Sequence, residues 1–104
     1  MGSYGVGQLV DDNGRGTLAY SPSTGVRITG VESTTVNSGT TVSSLVRIVA
    51  TAAVNFNVTT ETTSAVTTSM AYLPANTVEL VKVVKGKESV SFLGSAVIYV
   101  TSLR

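Results

Sequence analysis

The side chains that most often perform catalysis or hold metals are scarce in this chain of 104 residues. It contains no histidine and no cysteine, which excludes Ser-His-acid catalysis, thiolate zinc sites and disulfides. Hydroxyls are abundant, with 13 serines and 16 threonines, but no Gly-x-Ser-x-Gly turn presents one of them as a nucleophile. A Ser–Lys pair is the arrangement that the sequence leaves open. We therefore predict that the protein is not an enzyme.

The acidic residues are too dispersed to predict an acid-base pair or a metal site. Asp11 and Asp12 are neighbours in a predicted loop, and the four glutamates are scattered along the chain. A dedicated calcium site needs about six to eight oxygen ligands, which no spaced Asp/Asn/Glu loop supplies. Gly5-Val6-Gly7 and Gly14-Arg15-Gly16 resemble fragments of phosphate-binding loops, but neither has the full spacing or precedes a helix. We predict no metal and no cofactor.

Charge and hydropathy also narrow the choice of partners. The net charge is +1 and charged residues make up 12% of the chain, about half the usual share in soluble domains. No basic cluster is longer than Lys85-Gly86-Lys87, whereas nucleic-acid affinity depends on neutralising many phosphates. The sequence shows neither a signal peptide nor a run of about 20 apolar residues. We predict no nucleic acid, no membrane, and synthesis in the cytoplasm.

The elements that must position any functional residue are predicted to be strands. The chain has 18 Val, 16 Thr and 3 Ile, so that 37 of 104 residues are β-branched, a type that favours pleated surfaces. Alternation is clearest where Val54, Phe56 and Val58 face a core and the intervening asparagines face away. Similar patterns predict strands near residues 26–31, 45–50, 70–73, 78–84, 90–92 and 96–101. We predict an all-β fold, a small antiparallel β-sandwich or jelly-roll-like barrel with an extended N-terminal arm.

Turn residues predict how these strands are connected. Leu73-Pro74-Ala75-Asn76 should end a strand, because proline cannot donate a ladder hydrogen bond. Lys85-Gly86-Lys87-Glu88 should reverse the chain, and Gly94-Ser95 should form a two-residue hairpin loop. Val83-Val84 interrupts strict alternation, which indicates a bulge or a strand that is buried on both faces.

The chain divides into an arm at residues 1–25 and a β-sandwich domain at residues 26–104. The arm holds six of the ten glycines and few residues that could build a core. It is either a frayed terminus or a segment that becomes ordered against a partner. Asp12-Asn13-Gly14 within it is a turn signal, because Asn and Gly tolerate positive φ.

Tyrosines are the remaining candidates for recognition. Tyr99 alternates with Ile98 and Val100 and is predicted to lie on an exposed sheet face. Such a residue can bridge core and solvent, anchor a protein interface, or stack on a sugar.

Four segments resemble small structural proteins of tailed bacteriophages. These segments are Val46-Arg47-Ile48-Val49-Ala50, Leu73-Pro74-Ala75-Asn76-Thr77-Val78-Glu79, Lys85-Gly86-Lys87 and Tyr99-Val100-Thr101-Ser102-Leu103. They match a family pattern of an arginine-bearing strand, a Leu-Pro-Ala-x-Thr-x-Glu turn, a Gly-Lys corner and a closing Tyr-Val-Thr-x-Leu strand. The resemblance extends over residues 45–103 of this chain. Asn76 stands where the family often has glycine, and asparagine tolerates the same conformation.

The resemblance implies a virion component of the capsid decoration, or cement, type, a β-sandwich seated on the capsid surface. The implied partner is the major capsid protein, with self-association as a dimer or trimer, and the implied location is the capsid surface of the virion. The alternative is a head-fibre or tail-associated adhesion module that binds host surface glycans. The residues predicted to contact the capsid or a neighbouring copy are Tyr4, Val6, Leu9, Val10, Leu18, Tyr20 and Tyr99.

Overall fold

The computed structural model describes residues 8–10, 16–18 and 21–103, and every regular element in these residues is a β-strand. The strands are β1 Gln8–Val10, β2 Gly16–Leu18, β3 Pro22–Thr29, β4 Val36–Asn37, β5 Leu45–Ala50, β6 Val54–Thr59, β7 Ala71–Leu73, β8 Glu79–Lys82, β9 Ser89–Leu93 and β10 Val97–Leu103. The predicted all-β fold class is confirmed.

Strands β3 to β10 form two four-stranded antiparallel sheets. The first sheet has the order β3-β10-β5-β8 and the second has the order β4-β9-β6-β7. β3 pairs with β10, β4 with β9, β5 with β8, and β6 with β7. The chain is therefore arranged like one long hairpin that is folded so that successive strand pairs belong to alternate sheets. This is the strand order of a jelly roll, which is a sandwich of two Greek keys.

The core lies between the two sheets and follows the predicted alternation. Ile48 in β5 and Ile98 in β10 are buried from the first sheet, and Phe56 in β6 and Phe92 in β9 are buried from the second. The Phe56 and Phe92 rings are 6.4 Å apart between centroids and tilted by 38°, within the range of favourable aromatic pairs. Val58 packs against the same cluster.

One end of the sandwich is closed by glycines that allow two connections to touch. The Gly30 N–H donates to the Ala96 carbonyl at 2.6 Å, and the Gly94 N–H donates to the Val31 carbonyl at 3.2 Å. A Cβ at Gly30 would overlap the Gly94 carbonyl oxygen, and Gly94 itself has a φ of 146°. Only glycine at both positions permits this close approach.

The opposite end is held by backbone hydrogen bonds between the β4–β5 and β8–β9 connections. The Thr41 N–H donates to the Glu88 carbonyl at 3.1 Å, and the Gly86 N–H donates to the Thr41 carbonyl at 2.9 Å. The Glu88 carboxylate accepts from the Val84 N–H at 2.7 Å. Gly86 has a φ of 74°, which confirms the predicted chain reversal at 85–88.

Three details differ from the sequence prediction. Gly94-Ser95 is not a hairpin loop, because β9 and β10 belong to different sheets, and the segment crosses between them. β8 ends at Lys82, since the backbone of Val84 is used by the turn that follows. The register shift lies in β10, between Thr101 and Leu103, rather than near Val83-Val84.

The N-terminal segment contains two short paired strands. β1 pairs antiparallel with β2, from Gln8 opposite Leu18 to Val10 opposite Gly16. The predicted turn at Asp12-Asn13-Gly14 lies outside the described residues. β3 begins at Pro22, so that residues 22–25 of the predicted arm are strand residues of the first sheet.

Candidate protein-binding surface

The structure places the predicted contact residues in two regions. Tyr99 lies in β10 and is 41% exposed, as its alternation with Ile98 and Val100 predicted. Tyr4, Val6 and Tyr20 lie outside the described residues. The other three belong to the paired strands of the arm: Leu9 and Val10 in β1, and Leu18 in β2.

Tyr99 is at the centre of the outer face of the first sheet. It lies opposite Arg27 of β3 on one side and Val49 of β5 on the other. One row along the strands, Arg47 of β5 lies opposite Leu80 of β8. Directly opposed residues project on the same side of a sheet with Cβ atoms about 4.5–5.5 Å apart. We call these five residues the Tyr99 face.

The Tyr99 face combines exposed apolar groups with positive charge. Arg27 and Arg47 are exposed, as are Tyr99 and Leu80, while Val49 is half-buried. Lys82 continues the same side of β8. By register, no carboxylate projects from this side of strands β3, β10, β5 and β8. The surface is therefore suited to a protein partner that presents both apolar and acidic groups.

The corresponding face of the second sheet is covered by its own chain. The connection from β6 to β7, residues 60–70, returns over it, and Val66 in this connection is buried although it does not belong to the core cluster. The Val66 N–H donates to the Thr35 hydroxyl at 2.9 Å. The Asn55 side-chain amide donates to the carbonyls of Thr68 at 3.4 Å and Met70 at 3.1 Å.

Beneath residues 60–70 the second sheet carries a cluster of polar side chains that are hydrogen-bonded to one another. Ser89 and Ser91 alternate with the core residues of β9 and are nevertheless almost fully buried. The Asn37 amide donates to the Ser89 hydroxyl at 2.9 Å and to the Ser91 hydroxyl at 2.7 Å. No buried polar side-chain atom in the described part of the chain lacks a hydrogen-bond partner. The cluster is structural, and the Tyr99 face is the outer sheet surface left open.

A small groove of about 40 Å³ lies along β3, between this strand and the β4–β5 connection. Val26 and Val42 form exposed parts of its wall, and Val100 is buried at its side. Hydroxyls supply most of the rest of the lining: Thr24, Ser38, Thr40, Thr41 and Ser102. The valines of the groove offer packing to an apolar side chain, and the hydroxyls offer hydrogen bonds.

Alternation along β10 predicts that Tyr99 is exposed, but no local pattern predicts which residues surround it. Alternation groups Arg47 with Val49 on one side of β5, and it separates Arg27 from Val26 and Ile28 in β3. It does not reveal that β10 lies between β3 and β5, because strand order depends on the long-range pairing of the jelly roll. The sequence does show that, within each strand, exposed residues at alternate positions project on the same side of the sheet.

Within residues 8–10, 16–18 and 21–103, no group of three or more acidic, His or Cys side chains is arranged to hold a metal ion. The same residues contain no helix with the length and apolar character needed to cross a bilayer. A scan against protein-family models, a search of curated proteins and a search of solved structures found no match to this chain.

Proposed function

We propose that this protein is a bacteriophage capsid decoration protein that binds the outer surface of the major capsid protein shell and stabilises the head. The observation that carries the proposal is the asymmetry of the sandwich. The outer face of the second sheet is covered by residues 60–70, and that of the first sheet is open and presents Tyr99 between Arg27 and Val49. The sequence resemblance to phage virion proteins supplies the identity of the partner.

The composition of the Tyr99 face supports protein binding. Tyrosine and arginine are over-represented among the residues that dominate interface energies, and such residues cluster near the centre of a contact. A standard interface needs about 800 Å² from each partner. A four-stranded sheet face can supply much of this area, and many copies on one shell make a modest affinity at each site sufficient.

The arm provides a second contact in this proposal. β1 and β2 are each three residues long and pair with one another, whereas an isolated two-stranded hairpin is at best marginally stable in water. Contact of this pair, which carries the predicted contact residues Leu9, Val10 and Leu18, with a capsid subunit or a neighbouring copy would stabilise it.

The fold is compatible with this role and with one alternative. Jelly rolls occur in viral capsid domains and also in lectins, so the fold does not choose between them. The alternative, a head-fibre or tail module that binds host glycans, is favoured by one observation. Tyr72, on the edge strand β7 that residues 60–70 leave uncovered, is 62% exposed and lies opposite Asn55, and an exposed ring can stack on a sugar.

Exchanging the two tyrosines for alanine separates these roles. We expect Tyr99→Ala to weaken binding to phage heads that lack the protein by about 30-fold, equivalent to about 2 kcal/mol for a central interface residue. Tyr72→Ala is the matched control and should bind within about twofold of wild type. Binding is measured by titrating labelled protein onto purified heads. Equal binding by wild type and Tyr99→Ala, or a loss confined to Tyr72→Ala, would contradict the proposal.

A further inference from the structure

The four edge strands of the sandwich are unequally protected against pairing with another strand. Edge strands are usually short, charged or interrupted by proline, which prevents uncontrolled pairing. β4 has two residues, β7 has three and is followed by Pro74, and β8 has four residues with Glu79 and Lys82 at its ends. β3 has eight residues, from Pro22 to Thr29, with one charge. Within the described residues its sole strand partner is β10.

A core-facing side chain on β3 is incompletely covered. Val26 lies opposite Val100 of β10, and Val100 is buried with the core cluster. Val26 itself is 41% exposed, because no strand lies on the far side of β3 in the described structure. Val26 also lines the groove between β3 and the β4–β5 connection. The exposed Val26 and the groove beside it would both be covered by an apolar side chain on a strand that pairs with the free edge of β3.

A second copy of β3 meets these requirements. When two β3 strands pair antiparallel about a two-fold axis at Val26, the two Val26 side chains lie opposite each other on the core side of the sheet. Arg27 of each copy then lies opposite Gly25 of the other, which avoids placing two arginines directly opposite one another. Thr24 lies opposite Ile28. In this register, residues that face the core in one copy lie opposite residues that face the core in the other, so the alternation of side chains continues across the new strand pair.

We propose that this protein forms a two-fold dimer in which β3 strands pair at Val26 and the two first sheets become one eight-stranded sheet. The interface is isologous, the commonest arrangement among homo-oligomers. Continuity of the sheet places two Tyr99 faces side by side on one surface. The value of this arrangement for capsid binding depends on the proposed function, whereas the dimer itself does not.

Cysteine cross-linking of the full chain tests the pairing and its register. The chain has no cysteine, so a single introduced thiol reports on one position. Opposed residues in an antiparallel pair have Cα atoms about 4.5–5.5 Å apart, which a disulfide can bridge. Val26→Cys should therefore form a covalent dimer on mild oxidation. Thr24→Cys, on the same strand and the same side, should not, because its counterpart is four residues away along the strand, about 14 Å.

Two further measurements make the result decisive. Val78→Cys, a valine of 47% exposure outside β3, controls for random collision. Val26→Lys places a charge at the centre of the proposed interface and should raise the dimer dissociation constant, measured by sedimentation equilibrium, by at least about 10-fold. A monomeric wild-type chain, an oligomer in which Val26→Cys cross-links no faster than Val78→Cys, or faster cross-linking of Thr24→Cys would each overturn the proposal. Circular dichroism confirms that each variant is folded, and no capsid is needed.

Discussion

Replacing Phe92 with alanine is expected to lower the free energy of unfolding by about 3–5 kcal/mol, the usual cost of truncating a buried phenylalanine. Phe92 is fully buried and is the largest of the completely buried side chains. Its ring contacts the second phenylalanine of the core, Phe56, at 6.4 Å between centroids. A domain of this size has a total stability of about 5–15 kcal/mol, so the substitution removes a large fraction of it.

Urea denaturation followed by circular dichroism measures this loss. Leu93→Ala is the matched control, because Leu93 is the next residue in β9, lies opposite Asn55 on the outer side of the second sheet and is only half-buried. We expect Leu93→Ala to cost less than half as much as Phe92→Ala. Equal losses, or a loss below about 1 kcal/mol for Phe92→Ala, would mean that the two sheets do not pack through Phe92.

Deleting residues 1–20 is expected to reduce occupancy of phage heads to background while the sandwich still folds. All eight strands of the two sheets lie beyond residue 20, and so does every residue of the core cluster and every residue packed against it. The arm carries six of the seven residues predicted to contact the partner. Its removal should therefore eliminate the second contact and leave the first sheet intact.

Two measurements on the deletion variant are needed. Circular dichroism and thermal denaturation establish that the sandwich is folded, and electrophoresis of purified heads gives the number of bound copies. A full-length variant in which Leu9, Val10 and Leu18 are all replaced by serine distinguishes the apolar contact from mere length of the arm, and should bind as weakly as the deletion. Unchanged occupancy of either variant would exclude the arm from the interface.

Local patterns predicted the strands more reliably than their arrangement. The period of two in β6 correctly placed Phe56 toward the core and the neighbouring asparagines away from it, because side-chain direction along a strand is a local property. Asn76 adopts a φ of 57°, a conformation that asparagine shares with the glycine that the resembling phage proteins often have at this position. These features depend on residues within a few positions of each other.

The misassigned connection shows where local patterns fail. Gly94-Ser95 has the composition of a hairpin loop, but β9 and β10 are each paired with strands distant in sequence. The jelly roll pairs β3 with β10, which are separated by most of the chain, and no nearby residue specifies that choice. The neighbours of Tyr99 were not predictable for the same reason.

The sequence also did not predict that the outer face of the second sheet is covered by the connection from β6 to β7. Residues 59–69 are rich in Thr and Ser, a composition that is typical of an exposed loop. In the structure Val66 is buried, and the backbone of this segment is hydrogen-bonded to the side chains of Thr35 and Asn55. A single valine in a polar run gave too weak a signal to predict that one outer face would be closed and the other open.

The position of the protein on intact phage particles tests the central proposal most directly. Gold-labelled antibody to this protein, applied to virions purified from the host and imaged by electron microscopy, reports where the copies lie. The proposal predicts many labels dispersed over the head and few on the tail. Labels clustered at the tail, or purified particles without the protein, would contradict it.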